Sequence, residues 1–159
     1  MRQTAVVLLL LLLAIPAFAV DLGRADGTLT IDGTRIPLQY AYVIDHQKNG
    51  LTNKNSETKI VLTDKPLPET AKLEDVDYNF PEGILGIVVC VNSKDDISHV
   101  VVQHATGTYD GGFFEAVKDY TFKRNRGDRG TLSGTLSSKK ITTNTMAFYF
   151  DAGFAAQIK

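Results

Sequence analysis

Apolar and polar positions alternate along most of this chain, most clearly over Met146 to Ile158 (MAFYFDAGFAAQI). Met146, Phe148, Phe150, Ala152, Phe154, Ala156 and Ile158 share one side. Ala147, Tyr149, Asp151, Gly153, Ala155 and Gln157 share the other. Period two belongs to a strand, whose successive side chains leave opposite faces. A helix would need apolar residues three and four apart and would bury Gly153 in its interior. The run therefore predicts a long strand with one face in a core. It exceeds the usual strand length, so a bend or bulge is expected near Asp151-Ala152-Gly153, where glycine permits one.

The same reading continues upstream. Thr28 to Ile31 and Thr34 to Ile44 flank Asp32-Gly33, a strong hairpin signal because a type I′ turn needs positive φ at both central residues. Pro37 inside the second run predicts an edge position or a bulge. His46 to Glu57 is polar and reads as a long exposed loop. Thr58 to Thr63 is the next strand, ended by Pro66 and Pro68. Glu69 to Asp75 fits one or two helical turns of a connector.

Ile84 to Val91 (ILGIVVCV) is apolar on both faces, as expected of a strand covered on both sides. Asn92 to Asp96 turns it back into Ile97 to Ala105. Gly107 to Gly112 reads as a glycine-rich turn. Phe113 to Phe122 alternates as a strand, with a short helix over Phe113 to Asp119 as the competitor. Lys123 to Gly130 is a polar turn, and Thr131 to Ser137 a strand of small residues. The sum is an all-β domain of about eight largely antiparallel strands, a sandwich or a closed barrel, with one short connector helix. Continuous apolar content in Ile84 to Val91, the absence of tryptophan and a C-terminal Lys159 argue against an outer-membrane barrel.

The first 19 residues have the form of a signal peptide: Arg2, an apolar run over Val6 to Ile15, and Ala17-Phe18-Ala19. The apolar run falls short of the 20 or so residues that span a bilayer. The expectation is a chain exported to a bacterial periplasm or the medium, beginning at Val20, forming a single domain over 20–159, with no membrane insertion after cleavage. Some 140 residues suffice for a real core. Net charge is −1, which gives no basic excess for nucleic acid. Cys90 is the only cysteine, so no disulfide within the chain is possible and stability must come from packing.

Chemistry is sparse. Asp45-His46 could suggest an oriented base, but adjacent strand residues face apart. His99 and His104 fall on opposite faces and cannot share a metal, so no metal site is expected. His104 lies on the face of Val100 and Val102. Cys90 sits in an apolar strand with no histidine implied near it, which argues against a thiol nucleophile. Arg126-Gly127-Asp128 reads as a solvated turn. No phosphate loop or nucleophile elbow occurs, and no catalytic residue or cofactor is assigned.

The residues Gly33-x-x-Ile36-x-Leu38-x-x-Ala41-Tyr42, followed by Leu62-Thr63-Asp64-Lys65-Pro66-Leu67, resemble a group of uncharacterised bacterial exported all-β domain proteins. The resemblance covers the front half of the mature chain. It implies an exported domain and supplies no catalytic residues.

The favoured function is a non-enzymatic binding or accessory module for a protein or a small apolar ligand, with no nucleic-acid partner. Tyr40, Tyr42, His46, His104 and Tyr109 are its candidate binding residues. The alternatives are a small hydrolase or lyase pairing His46 or His104 with Asp45 or Asp110, and an inhibitor of a secreted enzyme.

Overall fold

The computed structural model describes residues 20–45, 57–76, 80–105, 107–111, 117–125, 127 and 129–159. Asp32 and Gly33 both take positive φ, 49° and 84°, so the Asp-Gly signal becomes the tight hairpin it predicts. That hairpin joins β1 (Arg24–Ile31) to β2 (Thr34–Asp45). Then follow β3 (Thr58–Thr63), β4 (Gly86–Val91), β5 (Ile97–His104) and β6 (Gly107–Gly111). The back half supplies β7 (Tyr120–Arg124), β8 (Thr131–Ser138), β9 (Ile141–Thr142) and β10 (Ala147–Gln157).

All pair antiparallel in one sheet ordered β6-β5-β4-β3-β2-β1-β10-β8-β7, with β9 on β10. Two of these strands go beyond the sequence reading. Gly107–Gly111, expected to be a turn, is β6, because it pairs with β5 from Val100 to His104. Ile141–Thr142 caps β10. In the contested Phe113 to Phe122 stretch, the described part is a 3₁₀ turn over Val117–Asp119 leading into β7. β7 runs on to Arg124, so the polar turn begins later than expected. The connector shrinks to a 3₁₀ turn over Leu73–Asp75.

The sheet curls into a half-barrel. Tyr109 on β6 and Phe148 on β10 lie far apart in strand order, yet their rings are 4.9 Å apart. Arg124 on β7 likewise reaches Asp95 in the β4–β5 turn, at 2.6 Å. Among the described residues β6 and β7 do not pair with each other, so the barrel stays open at that seam, and no second layer makes a sandwich.

The concave face holds the core. Phe148, Phe150, Ala152, Phe154 and Ala156 of β10 are all buried to 1% exposure or less, and Met146 to 8%. Each fully buried phenylalanine contributes roughly 2 to 3 kcal/mol of transfer free energy. No bulge forms at Asp151 to Gly153: β10 keeps unbroken register with β1 and β8 through those residues. The irregularity lies instead in β1, between Arg24 and Gly27 against β2. Pro37 sits where β3 does not reach, since β2 and β3 pair only from Tyr40 onward, so its missing N–H breaks no bond on that side.

The convex face has two halves. On β3, β4 and β5, Val61, Val88 and Val101 form a second cluster with Val76, covered by Leu67, Leu73 and Phe80. This cover is why β4 is apolar on both faces. On β1, β10 and β8 the convex face carries Asp26, Thr28, Asp151 and Thr135 instead, and stays open. A sheet with its apolar side inward and these polar residues outward is the inverse of a lipid-facing barrel.

Candidate functional site

The sequence-predicted binding residues do not converge. Tyr40 lies on the convex face with the Arg24 guanidinium 4.6 Å from its ring centre. Tyr42 is structural: its hydroxyl accepts the Leu67 backbone N–H at 2.9 Å and anchors the covering segment. His104 is half-buried at the end of β5, opposite Gly107. Tyr109 points into the barrel against Phe148. His46 and most of the His46 to Glu57 loop lie outside the described residues.

A histidine–carboxylate pair does form, but through His99. Its Nε2 lies 2.5 Å from Asp110 Oδ1, with the imidazole 10% exposed and the carboxylate 59% exposed. His99 is also the cross-strand neighbour of Cys90, contrary to the expectation that no histidine stands near that thiol. The β4–β5 hairpin and the unexpected β6 create both relationships, and only strand register could have revealed them. Cys90 is buried, at 5% exposure. Among the described residues no three of His, Cys, Asp and Glu gather closely enough to hold a metal ion.

Tyr120 faces the barrel interior, stacked on Phe150 at 6.0 Å. Among the described residues its buried hydroxyl finds no hydrogen bond of good geometry. Burial pushes its pKa well above the ordinary phenol value, and the Tyr109 hydroxyl and the Asp119 carboxylate add to the shift.

The residues that do converge are on the open half of the convex face. Register sets them in rows: Arg35, Thr30 and Tyr149 side by side across β2, β1 and β10, then Pro37, Thr28 and Asp151. Asp26 stands opposite Gly153, which stands opposite Thr135. Over Gly153, which has no side chain, lies the Val20 side chain, and two rows along the sheet Tyr149 and Arg35 border the other end. The result is an open cavity of about 530 Å³. Tyr149 is 44% exposed, one of two large apolar side chains so exposed among the described residues. The Arg35 Nη2 reaches Thr28 Oγ1 at 3.4 Å.

Chemically, this is an aromatic surface ringed by hydroxyls, two carboxylates and a guanidinium. It offers both donors and acceptors around one stacking platform. Sequence reading placed Tyr149 and Asp151 on the non-core face of the last strand. It missed them as a site because their neighbours come from β1, β2 and β8.

No protein-family model matches the chain, and no curated protein and no solved structure is significantly similar to it.

Proposed function

We propose that the chain is an exported, non-enzymatic binding module that takes a hydroxyl-rich ligand, a saccharide, on the open convex face around Tyr149. The observation that carries this is the exposed Tyr149 ring standing in a cavity of about 530 Å³ bordered by Asp26, Asp151 and Arg35. A pyranose has a C–H face that packs on an aromatic ring and edge hydroxyls that both donate and accept. Carboxylates and guanidinium make the stronger, charge-assisted bonds to such hydroxyls. The barrel interior supports the apolar-ligand alternative less well, because Phe148, Phe150 and Phe154 fill it. Export rests on the N-terminal pattern of charge, apolar run and small residues.

The test is a glycan array followed by calorimetry on wild type and Tyr149→Ala. Saccharide binding that weakens tenfold or more in the variant is expected, since stacking on an aromatic ring contributes on the order of 1 kcal/mol or above. Unchanged affinity in Tyr149→Ala would remove the assignment of this face.

The hydrolase or lyase reading keeps one specific observation, the 2.5 Å contact between His99 and Asp110. Neither residue borders the Tyr149 cavity. Turnover of a saccharide or ester that vanishes in His99→Ala would favour that reading over a binding module.

A further inference from the structure

The groove does not stop at Tyr149. The cavity beside Asp26 and Asp151 shares Thr30, Arg35 and Tyr149 with a second one, of about 520 Å³, that reaches Lys140. Lys140 in turn borders a third, of about 490 Å³, that extends past Thr142 to Tyr109. Neighbouring depressions, each sharing a bordering side chain with the next, therefore follow one another from the outer face of β8, β10 and β1, past the Asp32-Gly33 turn, to the seam of the half-barrel. Each is large enough for about one small-ligand unit.

Charge along this path is uneven. In the middle cavity Asp32 is already engaged, its Oδ1 accepting the Ala147 backbone N–H at 2.8 Å. Asp119, in the third, is paired with Lys139 Nζ at 2.9 Å. Asp32 keeps its charge in its bond to Ala147, so the exposed cations Arg35 and Lys140 face one carboxylate and leave the middle cavity net positive beside Tyr149. At the far end, Asp26 and Asp151 reverse it. A single neutral sugar would use neither the length nor the cationic centre.

We infer that the ligand is an acidic oligosaccharide, lying across the neighbouring cavities with a uronic-acid type carboxylate between Arg35 and Lys140 and neutral hydroxyls toward Asp26 and Asp151. This rests on the saccharide reading of the Tyr149 face and specifies its length and charge. Guanidinium and ammonium groups recognise a carboxylate through charge-assisted bonds. A chain spanning several cavities gains from each without a separate association cost for each unit.

The experiment is calorimetry of the full chain with galacturonic acid, tetragalacturonate, a neutral tetrasaccharide and poly-glutamate, in wild type, Arg35→Ala and Lys140→Ala. Circular dichroism checks that these surface variants fold. Tetragalacturonate should bind tighter than the monomer and the neutral tetramer, and lose affinity as salt is raised. Lys140→Ala should weaken it about fivefold while leaving the neutral tetramer unchanged, and Arg35→Ala, which also borders the Tyr149 cavity, should weaken both tetramers, the acidic one about fivefold more. Equal affinity for acidic and neutral tetramers, or no gain with length, overturns this inference and leaves the Tyr149 assignment standing. Failure of every saccharide to bind overturns both. Equal binding of poly-glutamate overturns the saccharide assignment in favour of an acidic protein partner.

Discussion

Gly27 of β1 and Ala152 of β10 face each other across the curl so closely that a Cβ on Gly27 would collide with Ala152 and with the Asp151 carbonyl oxygen. The obstruction is mainly backbone, which cannot swing aside as a long side chain can. Gly27→Ala should therefore destabilise the fold by about 3 kcal/mol or more. Guanidinium unfolding monitored by circular dichroism measures it. A loss below about 1 kcal/mol would mean that the sheet is less tightly curled here than the coordinates indicate.

Tyr42→Phe removes one hydrogen bond, the one accepting from Leu67 N–H at 2.9 Å, and leaves the ring in the outer cluster. A cost of about 1 kcal/mol is expected. Hydrogen exchange of the Leu67 amide should quicken by more than that of the β3 amides, because the variant loosens the cover and leaves the sheet intact.

Tyr120→Phe should do the opposite at neutral pH. Its buried hydroxyl finds no well-formed hydrogen bond among the described residues, so deleting it is neutral or stabilising by up to about 1 kcal/mol. The alkaline limb separates the two proteins further. The folded-state pKa of Tyr120 is raised above its ordinary value of 10.0, so the unfolded chain releases its proton first as pH rises. The contribution is whole below about pH 10 and is lost as pH climbs toward the raised folded value. Wild type should therefore lose stability above pH 10 more steeply than the variant, in unfolding free energies measured from pH 8 to 11. Parallel slopes would refute the assignment.

Asp110→Ala takes away the carboxylate that holds the buried His99 ring at 2.5 Å. Leaving that ring nitrogen short of a partner should cost about 1 to 2 kcal/mol. Thermal melts of Asp110→Ala, His99→Ala and the double variant form a cycle. A coupling indistinguishable from zero would show that the contact adds nothing.

Cys90 is 5% exposed, so its thiol should react with a disulfide reagent only slowly in the native protein and promptly in guanidinium. Cys90→Ser should cost roughly 1 to 3 kcal/mol through the added hydroxyl in a covered strand. Rapid labelling of the native chain would place the sulfur in solvent.

How much of this was legible beforehand follows from how far each feature reaches along the chain. The core face of the last strand, the Asp32-Gly33 turn and the double-sided burial of Ile84 to Val91 are written in local alternation, and each forms as read. β6 was not: Gly107-Thr108-Tyr109-Asp110-Gly111 has the composition of a turn, and becomes a strand only because β5 offers it a pairing edge. The bulge allowed for near Gly153 went astray for a similar reason. Curvature is a property of neighbouring strands together, and it settled at the β1 bulge and at Gly27. The Tyr149 groove was the least visible feature. It joins β1, β2, β8 and β10, and no periodicity within one segment tells which rows of a sheet will lie side by side.

Because β10 lies between β1 and β8, with β1 pairing to it from the far end of the described residues, an interior strand of the sheet is synthesised after both of its neighbours. A nascent chain lacking that segment exposes two unpaired edges and leaves its apolar hollow without the phenylalanines that fill it. Such long-range closure makes for slow, all-at-once acquisition of structure. A chain stopped short of Ala147 should accordingly be degraded or aggregate instead of persisting as a smaller, stable sheet.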